Sequence, residues 1–585
     1  MSKFADRYRP SGSHLLDSLQ QRPAALVQPI SRDLMDAMRR NPHLRVYIDR
    51  EAGKLGIPPF YKTLSRDMRI WESPHLIYPV GDPIFIHIFP DKNVKTRRVY
   101  RVIEPKLSTP RMDLLQKVEG RIVAQIDERL EVETQEEKLQ ILMELLDRVV
   151  YVSGAPQSNM ESSGAGGLFS GLPFLRGSSL RKIALTSPEY QIMKYLLHKN
   201  RIGLGVLEPL IRDPYIEDIS CDGVGPIFLE HKIFQSLACD FGFDTKESLN
   251  EFALWLSERS GKQATHRNPI VDTILSDGSR LNLVYGEDVS MKGTNFTIRK
   301  FTASPLPIPK IISFGTMDPT LAAYMWMLIR EGMNIFVCGE TASGKTTTLT
   351  GLVSFIKPNS KIVSIEDTPE VQLPHENWIR EVTRPSQRQE STVDMFELLK
   401  SALRQRPNYI IVGEIRGVEG NIAFQAMMTG HPVLSTFHSA SVQKTIQRLT
   451  GNPILVPKTH ITNLNAILIQ NAIYDATGHM KRRVTSVSEI VSYNPATDSF
   501  SYIESFVWEP GEDRFVFRAE GNSYLLEEKI GRARGYSSRE ISVVYDELKS
   551  RSDFLKKMTD ENVSDYREFF HRVIDADKKL TMIKA

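Results

Sequence analysis

Cysteine is nearly missing: Cys221, Cys239 and Cys338 are the only three in 585 residues. That number excludes a disulfide scaffold and a four-thiolate zinc site, and it fits a reducing compartment. Net charge is almost missing too. Lys plus Arg is 74 and Asp plus Glu is 71, a balance of +3, which removes the global case for a nucleic-acid binder. No apolar run approaches the ~18–20 residues of a membrane helix. The longest, Leu321 to Ile329, is about half that length and reads as a buried helix. The opening MSKFADRYRPSGSH has no apolar core, so no secretory leader is expected. What remains is ordinary globular material, 41% hydrophobic and 25% charged, enough for three or four domains.

Composition divides that material. Residues 1–152 contain IFIHIF and RRVYRVI around a polar turn, a hairpin pattern, followed by two stretches at helical spacing, LLQKVEGRIVAQIDERL and EKLQILMELLDRVV. Nothing there carries chemistry, which suits a docking or structural region. Residues 153–179 are rich in Gly, Ser and Pro and read as a flexible linker, interrupted by Phe169, Phe174 and Leu175 as a candidate anchoring segment. Residues 180–309 mix helices and short strands in an α+β pattern. Residues 310–495 alternate apolar strands with helices, as a parallel α/β sheet requires. Residues 496–585 hold two strand-like segments, a β-hairpin, and then two or three helices.

The chemistry concentrates in the α/β region. NIFVCGETASGKTTTLTGLVSFI is a strand, a glycine loop and a helix, and Gly339 to Thr346 fit G-x-x-x-x-G-K-[ST]. The residues Gly339, Glu340, Thr341, Ala342, Ser343, Gly344, Lys345, Thr346 and Thr347 are therefore expected to cradle a polyphosphate. Backbone N–H groups and the helix N-terminus suit the anion, Lys345 reaches its β- and γ-phosphates, and the Thr346 hydroxyl joins a Mg²⁺ shell.

Three later segments refine this. KIVSIEDTPEVQLPH ends an apolar strand in Glu366 and Asp367, where a carboxylate faces the ligand crevice. Glu366 either positions a water for attack on the γ-phosphate or caps the following turn. YIIVGEIRG ends a second buried strand in Glu414, with Gly413 where many phosphate-loop proteins carry aspartate. Metal contact then runs through water or through Glu414. Arg404 and Arg406 precede that strand. In TGHPVLSTFHSAS, His431 and His438 stand seven apart, on opposite faces of a regular strand, which disfavours joint metal ligation and suggests phosphate sensing by one of them.

Together, GETASGKTTTL, SIEDTPEVQLPHENWI, ALRQRPNYIIVGEIRG and TGHPVLSTFHSAS resemble the Walker A, Asp box, Walker B and His box of the type II/type IV secretion-superfamily ATPases. The likeness is greatest to the archaeal branch, with its archaellum motor and pilus-assembly ATPases. It extends to ISCDGVGPIFLEH and LSDGSRLNLVYGEDVSMKGTNFTIRKF, and covers about residues 180–577. The resemblance implies a RecA-like P-loop ATPase domain preceded by an α+β lobe and an extra N-terminal docking region. It implies ATP and Mg²⁺, a homo-hexamer, and a polytopic membrane platform protein met from the cytoplasmic side, with no nucleic acid. Glu366 and Glu414 become the acidic pair for hydrolysis, Glu414 and Thr346 the metal contacts, His438 a sensor, and Arg280 and Arg299 arginines that approach nucleotide near the subunit interface. Two departures stand out. Three scattered cysteines exclude the tetracysteine module of several bacterial relatives, and GVGPIFLEH is a residue or two short of the archaeal pattern.

Other classes fit less well. A small-molecule kinase would need a second substrate pocket and an arginine-bearing lid. A nucleic-acid translocase, the alternative within RecA-like rings, would want basic pore loops. A non-hydrolysing switch is at odds with Glu366 and Glu414.

Overall fold

The computed structural model describes residues 31–91, 94, 97–107, 111, 113–125, 134–153, 182–301, 305–384, 392–474 and 480–582. The linker expected over 153–179 lies almost wholly outside them. The chain forms two compact units, Met1–Phe301 and Thr302–Ala585.

The first unit is built on a nine-stranded sheet. Its order is β1 (Leu76–Pro79), β2 (Phe85–Pro90), β3 (Arg98–Ile103), β8 (Gln235–Phe243), β7 (Gly225–His231), β6 (Ile216–Cys221), β11 (Asn295–Arg299), β10 (Arg280–Val284) and β9 (Ile270–Ile274). The β2–β3 hairpin is the one expected from the alternation, in register Phe85↔Ile103. Strands of residues 1–152 and of residues 180–309 share this sheet through the parallel pair β3–β8, at Val99↔Ala238. Asp213 reinforces the join. Fully buried, it accepts hydrogen bonds from the hydroxyls of Tyr78 (2.6 Å) and Tyr100 (2.7 Å). The expected helices, Asp113–Val123 and Gln135–Val149, pack with Ser187–Leu197 around Leu114, Val118, Leu146 and Met193. A two-stranded ladder, β4 (Val150–Val152) with β5 (Ile183–Leu185), ties the same elements. Within GVGPIFLEH, the β7–β8 pair shifts register between Pro226 and Phe228.

The second unit carries the α/β sheet. Its order is β14 (Trp378–Val382), β13 (Ile362–Glu366), β15 (Tyr409–Ile415), β16 (Val433–Phe437), β12 (Ile335–Gly339), β17 (Ala466–Tyr474), β18 (Met480–Asn494), β19 (Ser499–Glu509) and β20 (Arg514–Phe517). Neighbours from β14 to β17 pair parallel, and the rest are antiparallel. Every residue of β12, β13 and β16 is buried, as sheets covered on both faces demand. The helix Pro319–Arg330 is buried around its whole circumference from Leu321 onward, which accounts for its unbroken apolar run. Asp318 caps it, accepting the Leu321 N–H at 2.8 Å. Helix Val543–Asp560 packs against it in the same core. Among the described residues no helix is long and apolar enough to cross a membrane.

Candidate nucleotide site

Parallel pairing sets the site. Because β13, β15, β16 and β12 run the same way, their C-terminal ends share one edge of the sheet. That edge receives Glu366 from β13, Glu414 from β15, His438 just after β16, and the glycine loop after β12. Arg404 and Arg406 precede β15 and His431 precedes β16, so all three belong to the opposite edge. Strand β16 spans only Val433–Phe437. Its length, rather than opposed faces, separates the two histidines.

The loop leads into the helix Lys345–Leu352 through Gly344, whose φ of +91° is the left-handed geometry glycine adopts without strain. Glu340, Thr341 and Ala342 are exposed, whereas Ser343 is fully buried and its Oγ finds no hydrogen-bond partner among the described residues. Lys345 Nζ donates to the loop's own Glu340 carbonyl at 2.9 Å. Burial lowers the Lys345 pKa, and the nearby Glu414 carboxylate pulls it back up. Thr346 and Thr347 follow on the first turn of the helix. His438 reaches the loop directly, its Nε2 lying 2.8 Å from Thr341 Oγ1.

Of its two expected roles, Glu366 takes up the turn cap. Its Oε1 accepts the Glu370 (2.9 Å) and Val371 (2.8 Å) N–H groups, capping the turn. Its Oε2 is buried and accepts no hydrogen bond among the described residues; Arg380 Nε stands 3.8 Å away. With 1% exposure, desolvation pushes the carboxyl from the ordinary 4.5 up to about 7, against the two N–H groups and Arg380.

The glycine at 413 has a steric reason. A Cβ there would sit 3.1 Å from Glu366 Cγ, and the β15–β16 register shifts between Val412 and Glu414. Such a shift re-aims the next side chain. Glu414 ends partly exposed, 2.6 Å from Arg416 Nη2, and Arg416 also approaches Asp367 at 3.9 Å.

Two site arginines from the sequence reading lie in the other unit. Arg280 pairs with Asp272 at 2.7 Å and Arg299 with Asp218 at 3.7 Å. Conversely, two residues that touch the loop went unnamed. Gln470 Nε2 donates to the Ser343 carbonyl at 2.7 Å and Arg482 Nε to the Ala342 carbonyl at 3.1 Å. Their one sequence signal is the polar Gln470 ending the apolar run AILIQ.

A family model described as type II/IV secretion system protein matches residues 201–505. An uncharacterized protein of Methanocaldococcus jannaschii is 47% identical over 536 residues, 91% of this chain and 95% of its own. Among solved structures, the Legionella pneumophila ATPase DotB is 18% identical, covering 62% of this chain and 92% of its own with a TM-score of 0.36. The pilus retraction motor PilT with bound ADP is 20% identical over 53% and 84%, with a TM-score of 0.35.

Proposed function

The chain belongs to the type II/IV secretion system protein family, and from that premise we propose that it is an ATP-hydrolysing hexameric motor. It drives assembly of an archaellum or type IV-like pilus, or type II-like secretion, by working on a polytopic membrane platform protein from the cytoplasmic side. The observation that carries the ATPase reading is Glu366: a buried carboxylate whose Oε2 accepts no hydrogen bond among the described residues, on the same sheet edge as the phosphate loop.

In this reading the N–H groups of residues 340–346 receive the phosphates of ATP, and Lys345 leaves the Glu340 carbonyl to meet them. Glu366 Oε2 takes a proton from the attacking water, while Oε1 stays fixed by two N–H groups, so the base is oriented before substrate arrives. The Thr346 hydroxyl and the Glu414 carboxylate are hard oxygen donors, the type a Mg²⁺ ion selects. Bound there, the ion would neutralise charge on the β- and γ-phosphates. His438 senses the γ-phosphate through its contact with Thr341. Arg280 and Arg299 approach the nucleotide near the subunit interface, where Arg neutralises transferring charge. Residues 1–152 serve as the docking arm.

ATP turnover of the purified chain against protein concentration, with light scattering on the same samples, tests this. Specific activity should climb as hexamer-sized particles appear, and Lys345→Ala should abolish binding and turnover. Equal turnover by the monomer would remove the interface arginines and the ring from the mechanism.

A further inference from the structure

The phosphate loop has an unusual amount of help from one direction. Strands β17 and β18 pair in register Gln470↔Val484 and Ala472↔Arg482. Side chains two apart on a strand share a face, and so do cross-strand partners. Gln470 and Arg482 therefore stand on the same face of this ribbon, and both reach the loop. Their bonds go to consecutive carbonyls, Ser343 O and Ala342 O. A Cβ on Gly344 would meet Arg482 Cδ at 2.9 Å and Gln470 Nε2 at 3.0 Å, so the two side chains lie directly against the turn into the helix. Gln470 is 1% exposed, and its Oε1 has no partner among the described residues. Ala342 holds φ at +61°, a conformation that a non-glycine residue keeps only when its surroundings impose it.

The consequence is geometric. In a trans peptide the C=O and the next N–H point in opposite directions. Holding the Ala342 and Ser343 carbonyls outward turns the N–H groups of Ser343 and Gly344 to the opposite side, where the Ser343 N–H donates to the Glu340 carbonyl at 3.3 Å, the carbonyl that Lys345 also holds. An anion site requires that orientation, because an inward carbonyl would repel phosphate. We propose that Gln470 and Arg482 are positioning residues that preset the phosphate loop for nucleotide, acting on its carbonyls rather than on the phosphates. The inference rests on the nucleotide-site reading of Gly339 to Thr346.

Calorimetric titration of the full chain with MgADP, alongside steady-state ATP turnover and thermal melting, separates the possibilities. Arg482→Met keeps bulk and removes the donor; it should weaken ADP binding about tenfold, the size of one net hydrogen bond. KM for ATP should rise with it, while kcat at saturating ATP falls far less than in Glu366→Gln. Arg482→Lys, which retains a donor, should recover most of the affinity. Gln470→Ala should weaken binding by a similar factor. Should that buried change unfold the chain, the half-buried Arg482 pair of variants decides. Wild-type ADP affinity in folded Arg482→Met overturns the proposal while Lys345→Ala still abolishes binding. If Lys345→Ala binds ADP as the wild type does, the phosphate-loop reading itself falls, and the inference with it.

Discussion

Glu366 and Glu489 are the same residue type on the same sheet, and neither is more than 1% exposed. Their surroundings differ. Glu489 accepts four hydrogen bonds: Oε1 from Tyr324 Oη (2.8 Å), Ser505 Oγ (2.6 Å) and Ser523 Oγ (2.7 Å), and Oε2 from the Leu525 N–H (2.9 Å). Those donors come from the buried helix, from β19 and from the segment entering the C-terminal helices, so one carboxylate ties three parts of the unit together. Glu366 has one oxygen held by two N–H groups, while the other accepts no hydrogen bond among the described residues and has only Arg380 nearby, at 3.8 Å. Burial is common to both and therefore does not mark function. The difference lies in the second oxygen of Glu366, a buried acceptor that receives no hydrogen bond among the described residues, which costs stability.

The sharpest way to break this contrast is to remove the charge at each position. Glu366→Gln should still bind ATP but hydrolyse it ~10²–10⁴-fold more slowly, the usual contribution of a general base. Its thermal melting should stay at or above wild type, since Gln keeps the turn cap and discards a buried charge. Glu489→Ala should do the reverse. It leaves three hydroxyls and an N–H without their acceptor, costing about 4 kcal/mol in chemical denaturation, while turnover per folded molecule stays within a few-fold. Similar stability losses in the two variants would erase the distinction.

Much of the second unit was legible because its signals are local. IFVCG, IVSIE and VLSTF are apolar runs bounded by turn residues, and each is a fully buried strand. The glycine loop fits its motif position by position. By contrast β14, WIREV, is a half-buried edge strand, and β8, QSLACDFGF, is broken by Asp240 and Gly242, so neither shows a clean period. The β3–β8 pairing that unites residues 1–152 with 180–309 in one sheet leaves no mark at either strand, since parallel partners are chosen by the whole fold. Gln470 and Arg482 lie 127 and 140 positions from the carbonyls they hold, beyond any motif. The division of Glu366 between a capping oxygen and one without a hydrogen bond was undecidable in one dimension, because it depends on which donors the fold brings near each oxygen.

A smaller effect sharpens the same comparison through pH. Between the ordinary 4.5 and about 7 the folded chain keeps a proton on Glu366 that the unfolded chain has lost. The folded state then binds more protons, so stability falls as pH rises through that window and levels above it. Melting temperatures of wild type and Glu366→Gln should diverge progressively from pH 4.5 to 7, the variant being the more stable at the upper end. Turnover moves oppositely, because only the ionised carboxylate accepts a proton: kcat/KM should rise with pH through about 7. Parallel melting curves across the window would show that Glu366 does not carry the shift.

The least effect belongs to Arg380. Its guanidinium, 3.8 Å from Glu366 Oε2, is too far to hydrogen-bond but favours the carboxylate and so holds the pKa below where desolvation alone would put it. The same side chain lies over the Trp378 ring, 5.3 Å from its centroid, which fixes it at the edge of the site. Arg380→Leu keeps that apolar cover and removes the charge. The acid limb of the pH–rate profile should move to higher pH by about half a unit, corresponding to less than 1 kcal/mol, with the plateau rate at high pH preserved because the base is the same group once ionised. A plateau lowered by orders of magnitude would instead place Arg380 on the phosphates. A limb that stays where it was would mean that the group titrating in turnover is not the one beside Arg380, and Glu366 would lose its claim to be the base.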